Sequence, residues 1–397
     1  MIGRRWGGFR KMVPALQLPI TDPGIVLTTV ILLAAAVVAG ALPMVSYLNV
    51  FIAQLKGGLA GAAIGLATYY LIARKFNPIA WAMFGVTFVA AFLLGMVGES
   101  GRRGILGVLM AIGWMWWYFG LRHQTLFSKV VKFGAIGIFT FVVVMMYASF
   151  RGQGGTGPSG RGGYTITKRA TQIAEFAKNP TIQRGAIFNM LGSDAPTDTM
   201  FIMENYPGSY EYDPFNGLKF FIANPIPRAI WPSKPSGMGV KVQKQLATGG
   251  NLGIGILGHG WSEGGWLGIA GYAIFFGALM GAVDRLIRDR AWNPYFLAAI
   301  GSNLGNVFGI ARGETSLFMV LVFSGFVGAV AVMYAAKMIC GPIMASGRPL
   351  LTTTNQWIAE PVQEDFVEDP EYGVEYDEGV EYAESEYEGA TGHSRLV

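Results

Sequence analysis

About eight stretches of this chain are apolar over close to the roughly 20 residues that carry an α-helix across a bilayer. They fall near residues 24–47, 57–73, 79–97, 104–121, 131–150, 265–286, 294–311 and 315–339. Polar and glycine-rich positions separate them, and one polar interval, 151–264, is far longer than the rest. The pattern predicts an all-α polytopic membrane protein in four parts. About five membrane helices occupy 1–150, a large loop with short helices 151–264, about three more membrane helices 265–340, and a tail 341–397.

Basic residues between the spans set an orientation. Arg4, Arg5, Arg10 and Lys11, the pair Arg74/Lys75, the 122–132 loop and the 284–290 loop fall on one side, which the positive-inside rule makes cytoplasmic. Both termini then lie inside. The 98–103 turn, the long 151–264 segment and the turn at Arg312, Gly313 and Glu314 face out. No small-residue cleavage site follows the basic start, so the first helix is expected to act as its own targeting signal.

The outer segment, about 110 residues, is too long for a simple connector. It opens on a glycine-rich run (151–163) without Walker spacing, which reads as a linker. Residues 167–177, 198–206 and 215–222 read as short helices. Tyr206, Tyr210, Tyr212, Phe215, Phe220 and Phe221 read as an aromatic belt, seated at the lipid interface or stacking on sugars. Within the spans, Gly61/Gly65, Gly264/Gly268, Gly277/Gly281 and Gly301/Gly305/Gly309 have the spacing that lets helices approach closely. Ser302, Asn303 and Asn306 sit at bilayer depth, where polar groups face a cavity or another helix.

Composition agrees with the pattern. Of 397 residues 52% are hydrophobic and only 14% charged, with mean hydropathy +0.40. Cys340 stands alone, which excludes an internal disulfide, and His123, His259 and His393 are too far apart in sequence for a multi-histidine metal centre. The net charge of +5 conceals an asymmetry: 13 of the 25 acidic residues lie between Glu360 and Glu388, leaving 12 against 29 of the 30 Lys and Arg in the chain before them. The membrane part is thus strongly basic, which favours anionic partners such as phospholipid headgroups or a pyrophosphate-linked substrate. The acidic tail, with repeated Glu-Tyr pairs, reads as a solvated cytoplasmic segment.

Candidate chemistry gathers on the outer face. The segment 224–235 holds four prolines, which rule out a continuous helix or central strand and present Arg228, Trp231 and Lys234 from a stiff support. With Glu99, Arg102, Arg103, His259, Glu263, Arg312 and Glu314 they form a set whose arginines can pair with phosphate oxygens and whose carboxylates or imidazole can take a proton from a hydroxyl. Singly, each arginine reads better as an interfacial anchor or a salt-bridge partner; the convergence of three outer turns carries the argument. His259 and Glu263 are four residues apart and share a helix face if the sixth helix begins that early. That is also a metal-pair spacing, but no third ligand accompanies it, so no metal and no other cofactor is expected.

Taken in order, Gly98-Glu99-Ser100-Gly101-Arg102-Arg103-Gly104, Ile226-Pro227-Arg228-Ala229-Ile230-Trp231-Pro232-Ser233-Lys234-Pro235, the run 258–268 (GHGWSEGGWLG) and Arg312-Gly313-Glu314 resemble the pattern of bacterial O-antigen polymerases, the Wzy-type polymerases of oligosaccharide repeat units. The resemblance covers residues 98 to 323; the family usually has about ten or more spans, against about eight here. It implies a GT-C-like membrane glycosyltransferase of the bacterial inner membrane, independent of metal. Such an enzyme transfers a growing glycan from a polyprenyl pyrophosphate to a sugar hydroxyl of another lipid-linked unit, alongside a flippase and a chain-length regulator. On that reading Arg228 and Arg312 stabilise the departing pyrophosphate and Arg102 or Arg103 holds the second substrate, with Trp231, Lys234, Glu314 and Glu99 lining the site. Glu263 is the first candidate base, His259 the second and Asp213 the third. An O-antigen ligase, a transporter or flippase of lipid-linked sugars, and a structural partner of an export complex are the competing readings.

Overall fold

The computed structural model describes residues 16–41, 49–96, 102–122, 124–153, 171, 195–224, 226, 230–246 and 252–350. Glu99, Arg228, the helix expected over 167–177, most of the glycine-rich run and the acidic tail lie outside them. Helices account for nearly all the regular structure described: α1 (Asp22–Ala41), α2 (Asn49–Ala73), α3 (Pro78–Met96), α4 (Arg102–Trp116, continued by a wider turn over Trp117–Leu121), α5 (Leu126–Gln153), α6 (Ala195–Asn205), α7 (Asn216–Ala223), α8 (Met238–Gln245), α9 (Gly255–Arg290), α10 (Pro294–Gly301), α11 (Leu304–Arg312) and α12 (Thr315–Ala345).

Six of them are long and apolar enough to cross a membrane: α1, α2 from Leu55, α3, α4 with its continuation, α9 and α12. The chain is a multi-pass helical membrane protein. α2 is the central post, packed against α1, α3, α4, α10 and α12, and 78% of its 55–73 window is buried. Small residues permit this. A Cβ on Gly58 would lie 2.9 Å from Gly325 Cα of α12, and one on Gly61 2.9 Å from Ser302 Cα, so these helices touch backbone to backbone. Gly277 and Gly281, of equal spacing, have no described atom within 4 Å of such a Cβ; spacing alone did not reveal which glycine face was packed. Around the post the outer helices turn large apolar side chains outward, among them Val86 and Val89 on α3 and Leu267 and Ile274 on α9, as lipid contact requires.

The two other expected spans differ in form. Residues 131–150 lie within the 28-residue helix α5. Residues 294–311 do not make one helix; they make α10 and α11, of 8 and 9 residues, separated at Ser302 and Asn303. The cause is local. Ser302 Oγ and Asn303 Nδ2 both donate to the carbonyl of Ala299, at 2.8 and 3.0 Å, while the Asn303 amide bonds to Ile300 instead. Side chains have taken the acceptor that would have carried the helix forward.

A second break falls in α9. Gly265 has φ 59° and ψ −133°, a conformation open in practice only to glycine, and the chain reverses there. A Cβ on Gly268 would lie 1.9 Å from the Gly260 carbonyl oxygen, whereas in a straight helix these residues would stand about 12 Å apart. Residues 255–263 are therefore a short limb folded back on a long one, 266–290, which at roughly 37 Å suffices to span by itself.

At the far end the chain closes on itself. Thr21 and Pro349 form an isolated bridge, Tyr69 donates to the Leu350 carbonyl at 2.6 Å, Asn293 Nδ2 to that of Leu16 at 2.6 Å, and Tyr295 to that of Pro19 at 2.7 Å. Both ends of the described membrane unit thus meet at one end of the bundle.

Candidate functional site

The opposite end holds the polar centre, built where the α9 hairpin meets the turn between α11 and α12. His259, on the short limb, is fully buried. Its Nε2 lies 2.9 Å from Glu314 Oε1 and its Nδ1 4.0 Å from Glu263 Oε1. Neither nitrogen is aligned for a regular hydrogen bond, so the contacts are ones of charge and proximity. One imidazole thus stands between two carboxylates, on opposite edges of the ring. That disposition suits proton relay more than convergence on one ion, and among the described residues no three His, Cys, Asp or Glu side chains group as a metal site.

Each carboxylate is also clamped from the loop. Glu263 Oε1 accepts the Gly217 amide at 2.7 Å, from the start of α7, and the Tyr272 hydroxyl at 2.8 Å, from the long limb of the hairpin. Glu314, the residue before α12, accepts the amides of Met238 and Gly239 at 3.2 and 2.5 Å, the first turn of α8, where the helix dipole favours negative charge. Gly217 admits no side chain: its Cβ would lie 2.3 Å from the Tyr272 hydroxyl oxygen. Beside this pair, the Asp213 amide bonds to the Ser262 carbonyl at 3.0 Å, and the Asp213 carboxylate pairs with Lys241 and, at 3.5 Å, with Lys219.

These clamps make acid stability a property of the site. Burial pushes the Glu314 carboxyl up, but the His259 imidazole and the amides of Gly239 and Met238 outweigh it, and the group titrates below the ordinary 4.5. Asp213 behaves alike: burial raises it, Lys241 together with Asn216 and Lys219 more than reverses that, and it falls below 3.8. A depressed folded-state pKa means stability that is fully present above the unfolded value and is lost as pH falls through the folded one. The melting temperature of the purified protein is therefore expected to fall as pH drops below about 4.5. Glu314→Gln should melt lower at neutral pH and show a flatter acid limb; parallel profiles would show that the contact carries no stability.

The other expected site residues are placed as follows. Arg312 ends α11, exposed, two residues before Glu314. Arg102 and Arg103 open α4. Trp231 donates its indole N–H to Ser233 Oγ at 3.0 Å, and Lys234 Nζ donates to the carbonyls of Asn224 and Ile226 at 2.7 and 3.0 Å, stapling the proline-rich turn. Tyr206, Tyr210 and Tyr212, expected at a lipid interface, instead join Ile202, Met238, Val242 and Ile254 in a small core of the loop itself, tied to the hairpin by Trp261, which donates to the Tyr206 carbonyl at 3.0 Å.

Tyr272, Gly217, Ser262 and Lys241 were not singled out from the sequence. Tyr272 is nine positions from Glu263, a separation that brings side chains together only if the helix folds back, and the Gly264-Gly265 pair inside an apolar run was the available signal. No protein-family model, curated protein or solved structure matches the chain.

Proposed function

We propose that this chain is a GT-C-like membrane glycosyltransferase that polymerises polyprenyl-pyrophosphate-linked oligosaccharide repeat units. What carries the reading is the Glu314–His259–Glu263 centre, a buried proton-handling triad at one end of a membrane bundle, beside the exposed Arg312 and beneath the amides of the loop helices. Polymer growth needs a sugar hydroxyl to attack the anomeric carbon as the bond to pyrophosphate breaks; one group must take the hydroxyl proton and others must hold the leaving charge. Fully buried, His259 cannot itself touch a sugar in this conformation. Glu314, partly accessible at 12% side-chain exposure and two residues from Arg312, takes the proton, with His259 orienting it and Glu263 anchoring the imidazole from the other side. Arg312 and Arg228 stabilise the pyrophosphate, and Arg102 or Arg103 holds the second lipid-linked unit.

Orientation agrees with this assignment. The end remote from the triad gathers Arg74, Lys75, Arg285, Arg288, Arg290 and Lys337, and by the positive-inside rule this supports reading it as cytoplasmic, with the triad toward the outer face of a bacterial inner membrane.

The test is reconstitution of the purified protein with a lipid-linked repeat unit, with and without EDTA, products resolved on a gel. An EDTA-insensitive ladder that Arg228→Ala abolishes at unchanged protein level is expected. A ladder of normal length in that variant would remove Arg228 from the site. A single transfer to an added lipid A core would instead identify a ligase. A second reading, a proton-coupled transporter of lipid-linked sugars, draws on the helix break at Ser302 and Asn303 and on the buried titratable triad, both of which transporters use. It predicts pH-gradient-dependent movement of the lipid-linked unit and no glycosidic product.

A further inference from the structure

At the basic end of the bundle lies a cavity that the proposed reaction does not use. Of ≈ 530 Å³, it is bounded by Asp22 at the start of α1, Tyr70 and Arg74 at the end of α2, and Lys75, Phe76 and Asn77 in the turn to α3. α2 and α12 run in the same direction, Gly58 meeting Gly325 and Tyr69 meeting Leu350, so the cavity and Glu314 occupy opposite ends.

Its charge is not balanced internally. Arg74 holds Asp22 through Nε at 3.0 Å and Nη2 at 2.7 Å, which occupies one edge of the guanidinium and leaves the other edge, on a side chain 41% exposed. Lys75 adds a second cation, its ammonium 5.3 Å from the centre of the Phe76 ring. Two cations thus face one carboxylate. The rim is apolar and set for a bilayer boundary: Phe76 is 90% exposed and Trp81 57%, and the Trp81 indole donates to the Lys75 carbonyl at 2.8 Å, fixing the turn. Below it, Ile79, Val86 and Val89 expose an apolar face along α3. Tyr70, 5% exposed, and Ala73 line its inner wall.

We infer that this cavity binds the phosphate of an anionic phospholipid, with the acyl chains against the exposed face of α3. Arginine with a free edge and a neighbouring ammonium pair with phosphate oxygens, and a headgroup lacking its own cation avoids repulsion from Lys75. The site is independent of the glycosyl-transfer reading.

Native mass spectrometry of the full chain, offered phosphatidylglycerol or phosphatidylcholine in equal amounts, tests it, with melting temperature measured in parallel and inorganic phosphate as a third arm. Phosphatidylglycerol should be retained preferentially and raise the melting temperature. Lys75→Gln, in an exposed turn, should reduce that retention about fivefold, the effect of one basic residue at an anionic surface, and Lys75→Arg should keep it. Equal retention of the two lipids, or unchanged phosphatidylglycerol retention in Lys75→Gln, would overturn the site. A melting shift given by inorganic phosphate but not by phosphatidylglycerol would overturn the lipid as its occupant.

Discussion

Replacing His259 with alanine is expected to abolish polymer formation, with a rate loss on the order of 10²- to 10⁴-fold, the range for removing a group that handles a proton. The geometry makes the loss twofold in kind. The imidazole orients Glu314 across 2.9 Å, and it stands between Glu314 and Glu263. Without it two nearly buried carboxylates share a space with the imidazole removed, and leaving a buried polar group unpaired costs about 1–3 kcal/mol. A stability loss alone would therefore also abolish the ladder. A second variant separates the causes: Glu263→Gln, His259→Gln and Glu314→Gln together remove all three ionisable groups while keeping polar side chains. That protein should regain a melting temperature closer to the parent than His259→Ala and still form no ladder. Recovery of activity along with stability would make the triad a fastening between loop and bundle and nothing more.

How far the sequence disclosed this can be argued from particular residues. Apolar run length picked out the six helices long enough to span, because a bilayer demands length and apolarity and little else, but it also picked out 294–311, which is divided. His259, Glu263 and Glu314 were each singled out, being ionisable groups beside apolar runs, and the fold brings those three together. Their roles in the pairing were less legible. Glu314 was placed among substrate-lining residues, and only folding shows that it faces His259 across 55 positions of chain. The breaks were invisible to periodicity. Ser302 and Asn303 read as polar residues in a span, whereas their side chains displace a backbone hydrogen bond and divide it. The tyrosines of the loop share one chemistry at a lipid interface and in a small core, since a ring that is apolar with a polar tip suits both.

The hairpin in α9 supports the second strong prediction. Gly268→Ala is expected to eliminate the folded site, although alanine is the best helix former and would strengthen an ordinary helix by up to about 1 kcal/mol relative to glycine. The added methyl would lie 1.9 Å from the Gly260 carbonyl oxygen and 2.9 Å from its carbon, both backbone atoms, so no side-chain rotation can relieve the clash. The short limb must then move away from the long one. His259 and Glu263 ride on the short limb, while Tyr272, which donates to Glu263, rides on the long one, so that separation opens the Glu263 contact first and then withdraws His259 from Glu314. Gly277→Ala, nine residues further along the same long limb, is the control: nothing lies within 4 Å of its Cβ among the described atoms, and helix propensity alone should leave the protein as stable as before or slightly more so. The measurement is monodispersity by size exclusion in detergent and melting temperature for both variants, followed by the ladder assay. Gly268→Ala behaving like Gly277→Ala would mean that residues 255–290 tolerate a straighter path, and the triad would then have to be assembled some other way.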